Sequence, residues 1–294
     1  MCIKYDFYII HVLKVCSLFN CRGYNAKRET VMLHTTKKNL LLQKLLMQEL
    51  RVFTNAMVKE IADQIGINKT YVNIVLRNLI KEGWIRSIHK GLYALTATTG
   101  VQPIHEFEIA MQLVNPAVIS HYSAFYHHEL TDQIPRDIFI STVTGSYIPR
   151  MDENGKQLGF RLDGVCYRIV QVDKSRFFGA ITAWKGEVSF QVTDLERTLL
   201  DGLVAPQYCG GFEEVLHGFS EKVSVLNVDQ LINYALRLDI AVSRRLGWVL
   251  ERLGIAGEKI SCLAQPSRAG YRRLDPSNKP MGQYDKKWLL QLNY

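Results

Sequence analysis

No two cysteines in this chain form a CxxC pair. Cys2, Cys16, Cys21, Cys166, Cys209 and Cys262 are scattered, and their spacing fits no zinc module. In a chain this long they read as reduced thiols of a cytosolic protein rather than as a disulfide frame. A membrane-spanning run is missing as well. "FYIIHVLKVCSLF" (residues 7–19) is thirteen residues long and interrupted by His11 and Lys14, too short to cross a bilayer. No small-residue cleavage site follows it, only the polar and basic "NCRGYNAKRE", so it fits no secretory signal. Residues 1–31 are therefore expected to be a non-conforming leader, disordered or foreign to the native protein, with Met32 as a candidate start. There is no internal repeat and no low-complexity segment.

Acidic residues are scarce in the first third. Residues 1–99 hold fifteen Lys/Arg against six Asp/Glu, a balance of +9. Residues 100–294 hold twenty-one against twenty-two, a balance of −1, so the whole excess of the +8 chain lies at the amino end. Such asymmetry points to a polyanion-binding segment on a near-neutral partner domain, and 294 residues are enough for both.

Catalytic constellations are also missing. "HHELTD" (residues 127–132) begins like a zinc HExxH helix, but Asp132 stands where the second histidine must be, so no imidazole clamp forms. His121, His127 and His128 then read as interface or surface histidines. "TGSY" followed by Asp152 and Glu153 is similar in outline to a nucleotidyltransferase motif, yet adjacent carboxylates alternate faces of a strand and cannot share one Mg²⁺. In "QVDK" (residues 171–174) Gln171 and Lys174 are wrongly spaced for a metal nuclease. No Ser/His/Asp or Cys/His arrangement can be argued from the sequence. No catalytic, cofactor-binding or metal-binding residue is expected.

Hydrophobic periodicity predicts a helix over 37–50, a short helix over 58–65 closed by Gly66, and a third capped by Asn68 that ends near Glu82. Two β-prone runs around His89-Lys90-Gly91 read as a hairpin. Helix, helix, helix, hairpin is the order of a winged helix-turn-helix, with Ala62 at the close helix crossing and Gly66 in the turn. Beyond residues 96–103, helices are predicted near 105–113 and over "NPAVISHYSAFYHHEL". Strands follow at 138–143, 164–171, 178–184 and 188–192, then helices at 194–204, 212–219, 228–238 and 241–253, and a closing strand in "KKWLLQLNY". The fold class expected is α+β, with a winged helix-turn-helix domain over 32–99 and a larger mixed α/β domain over 100–294.

On the third helix, Val72, Val75, Leu76, Leu79 and Ile80 are assigned to a core face. The opposite face carries Thr70, Asn73, Ile74, Arg77 and Lys81, with Asn68, Lys69 and Tyr71 at its start. Arg reads guanine and Asn suits adenine in the major groove, while an outward aliphatic residue such as Ile74 suits a thymine methyl. Thr70 and Tyr71 hydroxyls suit phosphate oxygens. In the wing, Arg86, His89 and Lys90 are candidates for backbone or minor-groove contact. The expected partner is double-stranded DNA.

Four further stretches stand out: "VKEIADQIGINKTYVNIVLRNLIKEGWIRSIHKGLYAL", "ISHYSAFYHHELTDQIPRDIFIST", "VTDLERTLLDGLVAPQYCGGFEEVL" and "AVSRRLGWVLERLG". Together with "KKWLLQLNY" they make the chain from about Thr36 onward resemble the AbiEi-type antitoxins, the repressor halves of type IV toxin–antitoxin pairs associated with abortive phage infection. The resemblance implies an amino-terminal domain that binds inverted repeats in its own promoter and represses the operon. It implies a carboxy-terminal domain that supplies antitoxicity and supports cooperative DNA binding by self-association. The implied second partner is a nucleotidyltransferase-like toxin, neutralised without a required stable complex, in the cytoplasm and with no membrane. Tyr122, Asp194, Glu196, Arg197 and Asp201 are the polar residues of the matching motifs, with a structural reading beside the functional one: Asp194 as a helix N-cap, Glu196 and Arg197 as surface charges. Two other readings stay open. One is a repressor whose second domain senses a small ligand, which an enclosed polar pocket would favour. The other is an enzyme targeted by its winged helix, which clustered carboxylates would favour.

Overall fold

The computed structural model describes residues 36–146, 159–255, 257–264 and 270–294; the leader 1–31 and the pair Asp152–Glu153 lie outside the described residues. The first described helix, α1 (Lys37–Met47), buries Leu41 and Leu45 and stops short of the expected Leu50. Strand β1 (Val52–Thr54) is too short for an alternating pattern to reveal it in the sequence; its antiparallel partner, the segment Leu92–Leu95, fixes it. Thr54 then caps α2 (Asn55–Gln64), its Oγ1 accepting from the Met57 N–H at 3.3 Å, so the helix begins three residues before the expected Val58. Gly66, with φ of 68°, closes the turn, and the Ile67 N–H reaches back to the Ala62 carbonyl at 2.8 Å. Asn68 caps α3 (Lys69–Lys81), and Glu82 ends it, as the sequence indicates. A hairpin follows, β2 (Ile85–His89) and β3 (Leu92–Leu95), giving a three-stranded antiparallel sheet in the order β1-β3-β2.

These elements close one apolar core around Ile61, Ala62, Ile67, Val72, Val75 and Leu79. Ile80 is the exception to the expected face. It is 37% exposed, because eight residues at 3.6 per turn leave it about 80° around the helix from Val72.

The sequence then runs through α4 (Glu106–Leu113), β4 (Val118–Ile119), α5 (His121–His127), β5 (Asp137–Val143), β6 (Gly159–Leu162), β7 (Val165–Val172), β8 (Ala180–Lys185) and β9 (Val188–Thr193). The strands form one mixed sheet in the order β6-β7-β5-β4-β9-β8, with β5/β7 and β4/β9 parallel and the remaining neighbours antiparallel. The single helix expected over residues 115–130 is therefore corrected. Val118 and Ile119 pair with β5 and β9 instead, and only residues from His121 on are helical. The β-branched pair gains more by burial between two strands than by helix formation. Helices α6 (Leu195–Val204), α7 (Phe212–Lys222), α8 (Val228–Leu238) and α9 (Ile240–Arg252) pack into a second core. The short α10 (Gly257–Ile260) and a small sheet, β10 (Arg272–Arg273), β11 (Gln283–Asp285) and β12 (Leu290–Leu292), complete a mixed α/β architecture.

A third core joins the amino-terminal sheet to the larger one. Val52, Ile88, Leu92 and Ala94 pack with Phe107, Ile140, Tyr167 and Phe190, and Arg51 donates to the carbonyls of Gln102 and Pro103 at 2.7 and 2.6 Å. Residues 37–294 accordingly gather into one compact unit.

Gly247 is the tightest point of the helical core. A Cβ there would overlap the ring of the wholly buried Trp288. Gly247→Ala should cost about 1–3 kcal/mol through overpacking, read as a lower thermal midpoint with a red-shifted tryptophan emission. An unchanged midpoint would mean the ring is not seated against this helix.

Candidate nucleic-acid interface

The exposed side of α3 carries Lys69, Thr70, Tyr71, Asn73, Ile74, Arg77 and Lys81, beside the exposed cap Asn68. Thr70, Asn73, Arg77 and Lys81 recur at spacings of three and four and form one stripe of about 16 Å along the helix. No acidic residue lies on α3, so Lys69, Arg77 and Lys81 meet no carboxylate along their own helix. The nearest one in sequence, Glu82, pairs instead with Lys38 at 2.6 Å. Asn68 Oδ1 accepts from the Thr70 N–H at 3.0 Å and from its hydroxyl at 2.9 Å, so both side chains serve the helix start as well as facing outward. Arg77 Nε donates to the Asn73 carbonyl at 3.2 Å, which lays the guanidinium along the helix. Tyr71 and Ile74 are 43% and 41% exposed, large apolar surface that only a partner would cover.

The hairpin also leans on the larger sheet. Arg86 pairs with Asp163 Oδ2 at 2.5 Å, and the His89 ring meets Phe160 edge-on at 5.1 Å, so both turn toward the β6–β7 hairpin of the larger sheet. The Arg86–Asp163 pair stays at the surface, its side chains 41% and 62% exposed, and His89 is half-buried. Lys90 is exposed, in a turn tied to the start of α2 by the Asn55 N–H donating to the Gly91 carbonyl at 2.7 Å.

Residues 41–96 match the family described as "Transcriptional regulator, AbiEi antitoxin". The match spans α1 to β3 and bears out the resemblance read from the sequence over that segment. The crystal structure of the RV2827C protein from Mycobacterium tuberculosis shares the fold, with a TM-score of 0.55 at 13% identity, covering 87% of this chain and 90% of that one. No curated protein matches the chain.

Outside the antitoxin-regulator match, the polar residues singled out after β9 are buried and mutually satisfied. Asp194 caps α6, taking the Arg197 N–H at 2.7 Å, and its second oxygen accepts from Tyr234 at 2.9 Å and Gln230 at 3.2 Å. Glu196 accepts from the Asn227 N–H at 2.9 Å at the start of α8. Arg197 pairs with Asp201 at 2.9 Å, donates to the Arg176 carbonyl at 2.7 Å and lies 4.6 Å from the Phe178 ring. Glu196 and Arg197 are thus 8% and 5% exposed and correct the surface-charge reading. The network staples the β9 end of the sheet to α6 and α8. Tyr122 stands apart, its hydroxyl donating to Gln133 Oε1 at 3.0 Å.

A cleft beside Arg197, Asp201, Ser141 and Phe178 has room for about one water molecule, against roughly 300–1,000 Å³ for a metabolite pocket. Among the described residues no group of three or more His, Cys, Asp or Glu could hold a metal ion, and no helix is long and apolar enough to cross a membrane. The zinc-like string falls where α5 ends at His127, and Glu129 is left-handed (φ 56°), so it does not lie on a helix. His121 is buried, not superficial: its Nδ1 lies 2.9 Å from Ser120 Oγ, which accepts from Ser141 Oγ at 2.8 Å. This polar thread was missed because serine and histidine at helix starts are ordinary caps.

Burial presses the imidazoles of His121 and His128 below their ordinary range. The unfolded chain therefore binds more protons as pH falls through about 6.5, and stability falls with it. Burial raises the Asp194 carboxyl, which works in the opposite sense but in the carboxylate range. His121→Asn, which tolerates the local φ of 51°, should flatten the loss of unfolding free energy between about pH 7 and 5.5 in urea titrations. The same slope in both proteins would remove His121 from this linkage.

Proposed function

We propose that the chain is an autorepressor and antitoxin of a type IV toxin–antitoxin operon. Residues 32–99 form its winged helix-turn-helix DNA-binding domain and residues 100–294 its antitoxin domain. The observation that carries the reading is the acid-free, outward face of α3, with Lys69, Arg77 and Lys81 on it and Tyr71 and Ile74 uncovered. In this reading α3 enters the major groove of a promoter inverted repeat. Asn73 and Arg77 read base edges, Ile74 meets a thymine methyl, and Asn68, Lys69, Thr70, Tyr71, Lys81 and Lys90 hold phosphates. Arg86 and His89, oriented by Asp163 and Phe160, meet backbone or minor groove from the hairpin. The family match over residues 41–96 supports the regulator half of the reading.

Two copies bind the repeat together, and the protein works in the cytoplasm against a nucleotidyltransferase-like toxin. The buried Asp194–Arg197–Asp201 network keeps the antitoxin domain's helices in register and is not itself a reaction centre.

Arg77→Ala should weaken binding to the chain's own promoter duplex by about 1–3 kcal/mol and relax sequence preference. Lys81→Ala should instead lower affinity for all duplexes and reduce the salt slope by about one. Fluorescence anisotropy across a salt series checks both, and an unchanged affinity in Arg77→Ala would take α3 out of the interface. Co-expression with the product of the neighbouring gene tests the antitoxin half: growth rescue is expected, and toxicity that persists contradicts it.

A further inference from the structure

The outer strand of a sheet presents a row of unpaired amides, and natural sheets guard that edge with charge, proline or a covering element. At one edge of the six-stranded sheet, β6 carries the exposed Arg161, and its Phe160 meets the His89 ring of the hairpin. At the other edge β8 reads "AITAWK", with no proline and no charge before Lys185 at its end. Every residue of β8 is exposed except the half-buried Ala183, and Ile181 and Trp184 are 44% and 66% exposed. Among the described residues β9 is its one strand neighbour.

The direction of the free amides follows from the hairpin that joins β8 to β9. Lys185 and Val188 face each other across a two-residue loop, in which Gly186 has a φ of 61°. That is the left-handed first position of a type II′ turn. Residues flanking such a loop exchange hydrogen bonds, and alternate residues then turn their N–H and C=O the other way. The far end agrees. The Asp194 N–H donates to the Gly179 carbonyl at 2.8 Å, so odd-numbered residues along β8 bond to β9. Ala180, Thr182 and Trp184 therefore aim their backbone groups away from the sheet.

A strand of the same sequence fits this edge. In an antiparallel pairing about a two-fold axis at Thr182, that residue faces its own copy and Ala180 faces Trp184 of the second copy. All three outward residues take part, with about six backbone hydrogen bonds in all. On the other face Ile181 meets Ala183 of the second copy, and Lys185 meets its Gly179. Each bulky side chain stands opposite a small one, and no like charges oppose. An axis at Ile181 or Ala183 would leave Trp184 or Ala180 with no β8 residue opposite, and would set Ile181 against itself or against Lys185.

We propose that β8 joins two copies of this chain edge to edge into one continuous sheet, with Thr182 on the symmetry axis. Its use on the promoter rests on the two-copy reading above. The pairing itself does not, because it needs no DNA.

Sedimentation of the full chain without DNA, over about a hundredfold range of concentration, should show a monomer–dimer equilibrium. Because Thr182 lies on the axis, one substitution sets two equal charges face to face. Thr182→Lys and Thr182→Glu should each weaken self-association at least about tenfold, and an equimolar mixture of the two should restore it. Circular dichroism verifies the fold of both variants. Arg77→Ala should leave the equilibrium unchanged, which separates failure of the edge pairing from failure of promoter binding. The inference is overturned if the parent stays monomeric throughout, if either charged variant associates as tightly as the parent, if their mixture associates no more tightly than its components, or if Arg77→Ala weakens the dimer.

Discussion

The close packing of α2 against α3 governs what the amino-terminal part of this protein can present. Ala62 is wholly buried, and the Ile67 N–H reaches its carbonyl across the Gly66 turn. A larger side chain at residue 62 would push the two helices apart. With the helices this close, Val72, Val75, Leu76 and Leu79 all point inward. Helical geometry then leaves Thr70, Asn73, Arg77 and Lys81 on the outside. Burial of each of these aliphatic side chains is worth about 1.5–3 kcal/mol, far more than any exposed polar contact on the opposite face. The core thus decides which polar residues face out, and their chemistry follows from that.

A second constraint couples this helix to the rest of the chain. The hairpin does not project freely: Arg86 is engaged by Asp163 and His89 by Phe160, while Val52, Ile88, Leu92 and Ala94 lie in a core shared with the larger sheet. Cutting the chain near residue 99 would strip Phe107, Ile140 and Tyr167 of apolar neighbours. Regulator and larger domain are therefore expected to fold and unfold together, and the orientation of α3 is set by packing rather than by a linker.

The amphipathic α3, its Asn68 cap and its Glu82 end were legible because one helix carries all the signals: cap, period and terminal glycine. The same holds for α8, where the hydrophobic repeat runs unbroken from Val228 to Leu238. What escaped detection depends on partners distant in sequence. β1 is strand only because β3 pairs with it, β6 (Gly159–Leu162) only because β7 does, and Val118–Ile119 only because two strands flank it. Burial of Glu196 and Arg197 likewise depends on Asn227, Asp201 and Phe178, none of which a local charge pattern can supply. The partners of Arg86 and His89, Asp163 and Phe160, lie more than seventy residues away, so no local pattern announces those contacts. Burial of Arg244 and Arg245 on α9 did carry a signal: two arginines amid the apolar positions Val242, Leu246 and Val249 of one helix.

Photocrosslinking from Asn73 tests the central claim most directly. With benzoylphenylalanine at that position and the chain's own promoter duplex as target, irradiation should join protein to DNA within the inverted repeat, and excess unlabelled promoter should suppress the product. DNA crosslinks that form from Trp184 on the far edge of the larger sheet, with none from residue 73, would contradict the account.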